Sequence, residues 1–535
     1  MLFANSKKVF SCRKLNTVIF PVAVVAVVAL YLLNVFVNAI GLRGSDQYWY
    51  VGDLSMLEAA GSPVTNAIYP SSAALFSIDS LPPRIHNIPV TYLAGWVNKL
   101  GFVDFLSWII VNTFLALAIA CLLYLVARSL RIKLPFLAPI FFLCFPLTIW
   151  FTLNALAEMS LAFGSVLIMC GTVLVSSMKR PVREVALVSL FLVAAGAILM
   201  LYTRESFLLL VPAQILFALW VCRNLGLRWT WALPSLVVTT LLIAIKPMIL
   251  QPYPHAGLVS QLMAGTASEP GQMTSYYNLS QSSFSILEFI AKATRGLITG
   301  IVPSSAAELI TESLILAVAT AAIFLLRNDE GSRMLVFWST VLLAIYLMTC
   351  AAFQPQNRYI FVLVPFVAIF IMGFLNRLWL WSQTSGRRTR RVTIQTGLGI
   401  VVLVVVCAAA SILAARTYGS DARSAMVDST ALSAQLAKEP IGSILTVIEV
   451  SGALPLAYAA VPRPVLAVNP QVTSEVDSAR MIVEWDVRVL VSTNRSNFDY
   501  LSRAVDLAYG GEAELVSQPK SDGLDTTSEF WAVER

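Results

Sequence analysis

The sequence predicts an α-helical protein that crosses a membrane many times and ends in a small α/β domain. Of its 535 residues, 58% are hydrophobic and only 13% are charged, whereas a soluble globular protein has about 25% charged residues. The apolar residues recur in runs of about 20, the length at which a helix crosses a bilayer. We expect helices because a span must pair each of its backbone polar groups internally.

Eleven apolar runs have the length of a span, and basic residues mark the turns on one side. The predicted spans are 17–40, 104–127, 134–151, 156–177, 184–202, 206–222, 231–250, 308–326, 334–353, 359–376 and 394–415. If the N-terminus is cytoplasmic, every short basic turn falls on the cytoplasmic side, as the positive-inside rule requires. These turns contain Arg128, Lys179, Arg223, Arg327 and Arg387. The basic N-terminal segment is then a retained signal anchor.

This topology leaves long hydrophilic segments at 41–103, 251–307 and 416–535 on the extracytoplasmic side. In the last segment, strand-like stretches at 443–450, 464–468 and 487–493 alternate with a helical pattern, which is typical of a partly parallel α/β sheet. We therefore predict a transmembrane domain over 1–415 and an extracytoplasmic α/β domain over 416–535. The net charge of +7 does not indicate a nucleic-acid partner, because the basic residues are concentrated in the cytoplasmic turns.

Ionisable residues gather where the predicted spans leave the membrane on the outer face. Each has a structural explanation: Glu158 begins a span, where a carboxylate favours a helix N-terminus, and Arg204 and Glu205 could neutralise each other. Charged groups at this depth are costly, however, so their presence on one face favours a functional site. The set is Asp46, Asp53, His86, Glu158, Arg204, Glu205 and Arg358.

These residue types suit the transfer of a sugar from a lipid phosphate. Arginine binds phosphate oxygens with two parallel hydrogen bonds, and a carboxylate within hydrogen-bond reach can take the proton of an acceptor hydroxyl or amine. A lipid phosphate leaves readily, so the second carboxylic acid of glycoside hydrolases is not required. Asp46, which follows the first span, fits the role of the base.

Four stretches resemble motifs of the GT-C superfamily of membrane glycosyltransferases, which use polyprenyl-phosphate sugars and include protein O-mannosyltransferases and aminoarabinose transferases. They are GSDQYWYVGD in the first outer loop, RIHNIPVTYLAGWVNKLG at 84–101, the turn LNALAEMSLAF and the late turn QNRYIFVLVP. The layout of nearly the whole chain is also similar: a long first outer loop with an early Asp, many spans and a C-terminal soluble domain.

The resemblance implies a hexosyl- or pentosyltransferase that inverts the anomeric carbon. Asp46 takes the position of the proposed base, and Glu158 takes the second acidic position, where acceptor or metal contacts are proposed. Arg358 and Tyr359 take the position thought to hold the lipid phosphate. We add Asp53, His86 and Arg204 as candidates for substrate binding. A divalent metal stays open, because the residue pattern does not require one and Gln47 stands where many relatives have a second acid.

The implied partners are a polyprenyl-phosphate sugar, membrane lipid and an acceptor that is an envelope glycan, a glycolipid or a protein. The implied location is a bacterial inner membrane, with the N-terminus cytoplasmic. One alternative is a polytopic transporter or lipid flippase of cell-envelope glycan assembly, which predicts ionisable residues along a midplane pathway. Spans two to seven are nearly free of such charges. A scaffold protein, or a polymerase or ligase with a late catalytic loop, explains the early acidic loop less well.

Overall fold

The structure is a computed structural model that describes residues 20–42, 47–48, 51–52, 54–55, 67–68, 88–176, 183–204, 207, 210–249, 330–352, 357–384, 389–447, 456, 458–468, 470, 474–492, 494–518 and 529–534. The second outer loop, the predicted span 308–326 and most of the first outer loop lie outside these ranges.

Apolar helices make up the first four-fifths of the described chain. They are α1 (Phe20–Asn38), α2 (Ile88–Asn98), α3 (Asp104–Ser129), α4 (Leu137–Cys144), α5 (Pro146–Leu153), α6 (Glu158–Ser176), α7 (Arg183–Thr203), α8 (Leu210–Asn224), α9 (Leu233–Ile249), α10 (Glu330–Ala352), α11 (Val364–Thr384) and α12 (Thr389–Leu436), with 3₁₀ turns at Trp229–Ala232 and Asn357–Leu363. Within the described ranges, α3, α6 and α7 are long and apolar enough to cross a membrane, and five shorter apolar helical segments accompany them.

The predicted span 134–151 is wrong as a single helix, because the chain breaks before Pro146. Phe145 adopts an extended conformation (φ −74°, ψ 130°) between α4 and α5. Proline clashes with a helical residue before it and has no backbone N–H to continue the helical ladder, so it starts a new helix at its own position. Both short helices are held from outside: the Ser411 hydroxyl donates to the Cys144 carbonyl at 2.5 Å, and Tyr31 and Thr152 share a 2.6 Å hydrogen bond.

Helices α6 and α7 form a tight antiparallel pair because glycines lie where they cross. A Cβ added at Gly196 would come within 2.4 Å of the Gly164 carbonyl oxygen, so neither position has room for a larger side chain. Small residues at such crossings let helix backbones approach closely, which is the usual source of packing energy between helices in lipid. The close contact fixes the end of α7 beside the start of α6.

Helix α12 runs without interruption through the predicted domain boundary at 415/416. Its 48 residues correspond to about 72 Å at 1.5 Å per residue, more than twice the ~30 Å hydrocarbon thickness of a bilayer. Tyr418 and Ala422, just past the boundary, are fully buried, which explains why the helix continues. The division into two domains stays a prediction.

The C-terminal segment and two residues of the first outer loop form a six-stranded mixed sheet. Its strands are β1 (Ala67–Ile68), β2 (Ser443–Thr446), β3 (Val465–Ala467), β4 (Val487–Ser492), β5 (Glu514–Gln518) and β6 (Glu529–Glu534), in the order β1-β3-β2-β4-β6-β5. The first four in this order pair in parallel, and β6 and β5 pair antiparallel. The three predicted strand regions contain β2, β3 and β4. Strands β1, β5 and β6 are not predicted, and the first outer loop contributes β1.

Alternating residues divide the sheet into two apolar faces, as the two-residue repeat of a strand requires. Ile444, Val465 and Val489 pack against the first outer loop and the nearby ends of α2 and α3. Leu445, Leu466 and Leu490 pack under α13 (Glu475–Glu484) and α14 (Arg495–Tyr509). The sheet therefore has one face on the helical body and the other beneath its own helices.

Arg463 closes the end of α12 and ties it to the sheet. Its guanidinium donates to three backbone carbonyls, those of Leu436, Pro440 and Gly442. The nearby Glu439 is buried and accepts a hydrogen bond from Gln435 at 2.7 Å. This junction links the long helix to β2.

Burial raises the pKa of Glu439 above its ordinary value of 4.5, and the Gln435 hydrogen bond and Arg463 only partly oppose the shift. A raised carboxyl pKa in the folded state means that the protonated form contributes stability below the ordinary pKa. This contribution is lost as the pH rises through the folded value. We expect the thermal stability of Glu439→Gln to fall less than that of the wild type between pH 4.5 and neutrality. Thermal unfolding in nanodiscs, with the exposed Glu512→Gln as control, checks this; parallel pH profiles would contradict it.

Candidate active site

A buried ion pair joins the start of α6 to the end of α7. Glu158 is the first residue of α6 and its side chain is 1% exposed, while the Arg204 side chain, one residue past α7, is 16% exposed. An Arg204 guanidinium nitrogen donates to Glu158 Oε1 at 2.5 Å. Within the described part of the chain, Glu158 Oε2 has no hydrogen-bond partner. The pair is thus a compensated charge whose second carboxylate oxygen is buried and, among the described residues, unpaired.

The last turn of α7 determines the position of Arg204. The Arg204 backbone N–H still bonds to the Met200 carbonyl at 2.9 Å, so α7 carries the arginine to the level of the α6 N-terminus. Ser160 and Thr203 share a 3.1 Å hydrogen bond one turn into the pair. A carboxylate at a helix N-terminus is favoured by the helix dipole, so Glu158 is stabilised from the helix and from the guanidinium.

A buried amide and hydroxyl network connects this turn to the first outer loop. The Gln47 amide donates to Asn154 Oδ1, and Asn154 lies in the turn that leads into α6. Gln47 Oε1 accepts from the Tyr418 hydroxyl at 3.1 Å, and the same hydroxyl lies 3.0 Å from the Gly41 carbonyl. Asn112 of α3 donates to the Asn154 carbonyl at 2.9 Å. Gln47, the residue that follows Asp46, is therefore hydrogen-bonded to Asn154, which lies four residues before Glu158 in the sequence.

Gln47→Glu is expected to destabilise the protein, because the network needs an amide at this position. Asn154 Oδ1 would lose its donor, and Asn154 cannot reverse its amide, since its Nδ2 already donates to the Trp150 carbonyl at 2.8 Å. Leaving a buried polar atom unpaired costs about 1–3 kcal/mol, and more with a charge. Chemical denaturation of the reconstituted protein measures the loss of unfolding free energy. Gln47→Met is the uncharged comparison. Wild-type stability of Gln47→Glu would contradict the network.

The first outer loop also contacts the C-terminal sheet. The Tyr48 and Tyr458 rings lie 5.6 Å apart, and Ser55 donates to the Asp104 carboxylate at the start of α3. Burial raises the pKa of Tyr458, and Asp104 and Tyr48 add to the rise, so this phenol stays neutral. Together with the β1–β3 pairing, these contacts hold the loop between the helices and the sheet.

Solved structures share the architecture of this chain. No protein-family model and no curated protein match the sequence. The structure is similar to ArnT from Cupriavidus metallidurans bound to undecaprenyl phosphate, with a TM-score of 0.57 and 15% identity over 96% of this chain and 97% of that one. Apo ArnT gives a TM-score of 0.54 at 15% identity, covering 95% and 97% of the two chains.

A second similar structure is the archaeal oligosaccharyltransferase AglB from Archaeoglobus fulgidus in complex with an inhibitory peptide and a dolichol-phosphate. Its TM-score is 0.51 at 10% identity, over 93% of this chain and 72% of that chain. The chain has a GT-C-like fold. The predicted class, a polytopic helical membrane protein of this kind, is confirmed, and likeness at these identities establishes the fold alone.

Within the GT-C-like fold, the structure brings two of the seven predicted site residues together: Glu158 and Arg204. The backbone of Arg358 and Tyr359 forms part of the 3₁₀ turn Asn357–Leu363, which contacts α6 and α10. The structure does not describe the side chains of these two residues. Asp46, Asp53 and His86 lie outside the described residues, so their roles stay predictions.

Gln47, Asn112, Asn154 and Tyr418 were missed as members of the candidate site. A signal for one of them was present, since Asn112 is a strongly polar residue within an otherwise apolar span, and such residues need partners in lipid. The tertiary pairing of Gln47 with Asn154 has no counterpart in sequence spacing.

The described side chains do not form a metal site. No group of three or more His, Cys, Asp or Glu side chains within these ranges could hold a metal ion. Glu158 is instead paired with a guanidinium, which would repel a cation beside it.

Proposed function

We propose that the chain is a membrane glycosyltransferase that moves a sugar from a polyprenyl-phosphate donor to an acceptor on the outer face. The observation that carries this proposal is the Glu158–Arg204 pair with its unpartnered carboxylate oxygen. A buried ion pair is weak support for stability, since apolar residues of similar size often serve as well. Its presence at a helix exit therefore favours a role in binding or chemistry.

The similar structures support the choice of donor. ArnT is bound to undecaprenyl phosphate and AglB to a dolichol-phosphate, and both ligands are polyprenyl phosphates. By analogy, the donor of this chain carries its sugar on the same kind of lipid. Its phosphate lies among the lipid headgroups. The site residues are predicted at the same level, where the spans end on the outer face.

The reaction is a single displacement at the anomeric carbon. Asp46 accepts the proton of the acceptor hydroxyl or amine as its oxygen or nitrogen bonds to the anomeric carbon. The bond from that carbon to the phosphate oxygen breaks, and its electron pair leaves with the polyprenyl phosphate. Configuration is inverted because attack and departure occur on opposite faces of the sugar. Preorganised cations stabilise the charge that develops on the phosphate.

The remaining residues divide between donor and acceptor. Arg358 and Tyr359 hold the leaving phosphate, and Asp53 and His86 contribute to substrate binding. Glu158 Oε2 accepts a hydrogen bond from the acceptor, and the hydrogen bond from Arg204 orients the Glu158 side chain. The acceptor is an envelope glycan, a glycolipid or a protein, and the enzyme works at the extracytoplasmic face of a cell membrane.

A transfer assay with matched carboxylate variants tests this function. The purified protein in nanodiscs is given a panel of radiolabelled polyprenyl-phosphate sugars and a membrane extract as acceptor. We expect transfer by the wild type and a loss of about 10- to 100-fold for Glu158→Gln, the usual contribution of a hydrogen bond to a charged group. Glu184→Gln, an exposed carboxylate at the opposite end of α7, retains the wild-type rate. Equal rates for the two variants would remove Glu158 from the site, and no transfer of any donor would contradict the function.

A further inference from the structure

Helix α12 runs past the point at which α1 ends and the first outer loop begins. Asn38 is the last residue of α1, and a Cβ added at Gly419 of α12 would lie 2.8 Å from the Asn38 side-chain oxygen. The two helices come this close because residue 419 has no side chain. The neighbouring residue, Tyr418, is fully buried, so its side chain lies inside the protein where the loop starts.

The Tyr418 hydroxyl bonds to two points of that loop. It lies 3.0 Å from the Gly41 carbonyl oxygen and 3.1 Å from Gln47 Oε1, and it donates to both. A phenol has a single proton, so one donor is shared between two acceptors on either side of the segment 42–46. The last residue of this segment is Asp46, the proposed general base.

Packing fixes the place of this hydroxyl. The Tyr418 ring meets the Trp150 ring of α5 edge to face, with the ring centroids 5.9 Å apart. Ser411, earlier in α12, donates to the Cys144 carbonyl at 2.5 Å. Both contacts attach α12 to the short helices α4 and α5. A tyrosine reaches its hydroxyl through a rigid ring and two rotatable bonds, so the packed ring presents that oxygen at one position.

Gln47 is held from its other side as well. Its amide nitrogen donates to Asn154 Oδ1, in the turn that leads into α6, and α6 begins with Glu158. The Gln47 side chain therefore joins α12 to this turn. Two residues with proposed roles are attached to the same buried network: Asp46 is the chain neighbour of Gln47, and Glu158 follows the turn.

A structural explanation accounts for only part of this arrangement. A buried tyrosine needs a hydrogen-bond partner in any case, and one partner satisfies it, as Thr152 does for Tyr31. Tyr418 differs because both of its acceptors belong to the first outer loop. A base must lie within hydrogen-bond reach of the proton that it takes, and a displacement of about 1 Å can lower a rate by about 10². A donor fixed on both sides of the acid restricts such displacements.

We propose that Tyr418 is a positioning residue for the glycosyl transfer. Its hydroxyl holds the segment 41–47 so that the Asp46 carboxylate reaches the acceptor. Tyr418 takes no part in proton transfer, because its own proton stays in the hydrogen bonds to Gly41 and Gln47. This role rests on the proposed function, in which Asp46 is the base. Helix α12, which leads to the C-terminal sheet, thereby also sets the geometry of the reaction.

Replacement of Tyr418 by phenylalanine tests this role, because it removes the hydroxyl and keeps the ring. The matched control is Tyr500→Phe in α14. Tyr500 is also buried, and its hydroxyl also bonds to two oxygens, Ser478 Oγ at 2.7 Å and the Ser474 carbonyl at 3.3 Å. The full chain in nanodiscs is used throughout. Donor turnover gives kcat and KM, thermal unfolding gives Tm, and hydrogen–deuterium exchange of the peptide 41–47 follows the loop.

Tyr418→Phe is expected to lower kcat by about 10- to 100-fold with little change in the KM for the donor, because the base is displaced and donor binding is not. Exchange in the peptide 41–47 should be faster than in the wild type. Tyr500→Phe should keep the wild-type kcat and the wild-type exchange of this peptide. Each variant loses a buried hydroxyl with two hydrogen bonds, so the two Tm values should fall by similar amounts.

Three results would overturn the proposal: a wild-type kcat for Tyr418→Phe, an equal loss of kcat in the two variants, or unchanged exchange of the peptide 41–47 in Tyr418→Phe. If Tyr418→Phe fails to fold, Gln47→Met removes the other member of the same hydrogen bond and takes its place in the comparison. A wild type that transfers no sugar would contradict the proposed function and with it the catalytic role of Tyr418. The exchange result would then still decide whether the hydroxyl holds the loop.

Discussion

Asp46→Asn is expected to reduce sugar transfer by about 10²- to 10⁴-fold, the usual contribution of a general base. Asparagine preserves the size of the side chain and its hydrogen bonding but cannot accept a proton at neutral pH. Gln47, the next residue, stays anchored through Asn154 and Tyr418, so the variant should fold. The reduced transfer rate should appear as a lower kcat with little change in KM. The base acts in the transition state and contributes little to donor binding.

Asp53→Asn is the comparison variant, since it changes an acid of the same loop, seven residues further on, that is assigned to substrate binding and not to the base. Turnover of a labelled donor measures both, and thermal unfolding verifies that each is folded. If Asp53→Asn loses activity and Asp46→Asn keeps it, the base has been assigned to the wrong residue. If both keep wild-type rates, the first outer loop does not supply the base.

Arg204→Met is expected to destabilise the folded protein by about 3–5 kcal/mol, because it leaves the Glu158 carboxylate buried without its partner. The arginine is the cation within 2.5 Å of that carboxylate, and Glu158 is 1% exposed, so water offers little compensation. The measurement is unfolding by denaturant in nanodiscs. Arg223→Met, an exposed arginine in the last turn of α8, should change stability by less than about 0.5 kcal/mol.

The double variant Glu158→Met/Arg204→Met separates stability from function. Apolar residues of similar volume often replace a buried ion pair without loss, so we expect most of the stability to return. Sugar transfer should remain absent, because the acceptor contact is gone. A double variant that transfers sugar at the wild-type rate would mean that the pair is structural.

Composition and charge distribution were sufficient to predict the helical membrane class. Three strands of the sheet, β2, β3 and β4, were predictable because their apolar runs are short, whereas β5 and β6 were not predicted. The break before Pro146 was also readable, since proline ends the helix before it, but the length of the run concealed it. The sequence gives no such signal for β1, which has two residues and exists only through pairing with β3.

The candidate site shows the same division. The outer turn with Glu158 could be selected because an acid stands between two apolar runs. Its partner Arg204 could not be predicted. Arg204 is next to Glu205 in the sequence, so a pair between these two neighbours is the simpler prediction. The α6–α7 glycine contact sets the pairing with Glu158 instead, and it depends on how two helices cross.

The chemical fate of the donor distinguishes the glycosyltransferase from a flippase most directly. Vesicles containing the protein are loaded with a polyprenyl phosphate that carries a labelled sugar, and acceptor is supplied. The label and the lipid phosphate are then followed separately. We predict that sugar appears on the acceptor and free polyprenyl phosphate accumulates in equal amount. Donor that crosses the bilayer with its sugar–phosphate bond intact, and no glycosylated acceptor, would contradict the proposed function and establish transport in its place.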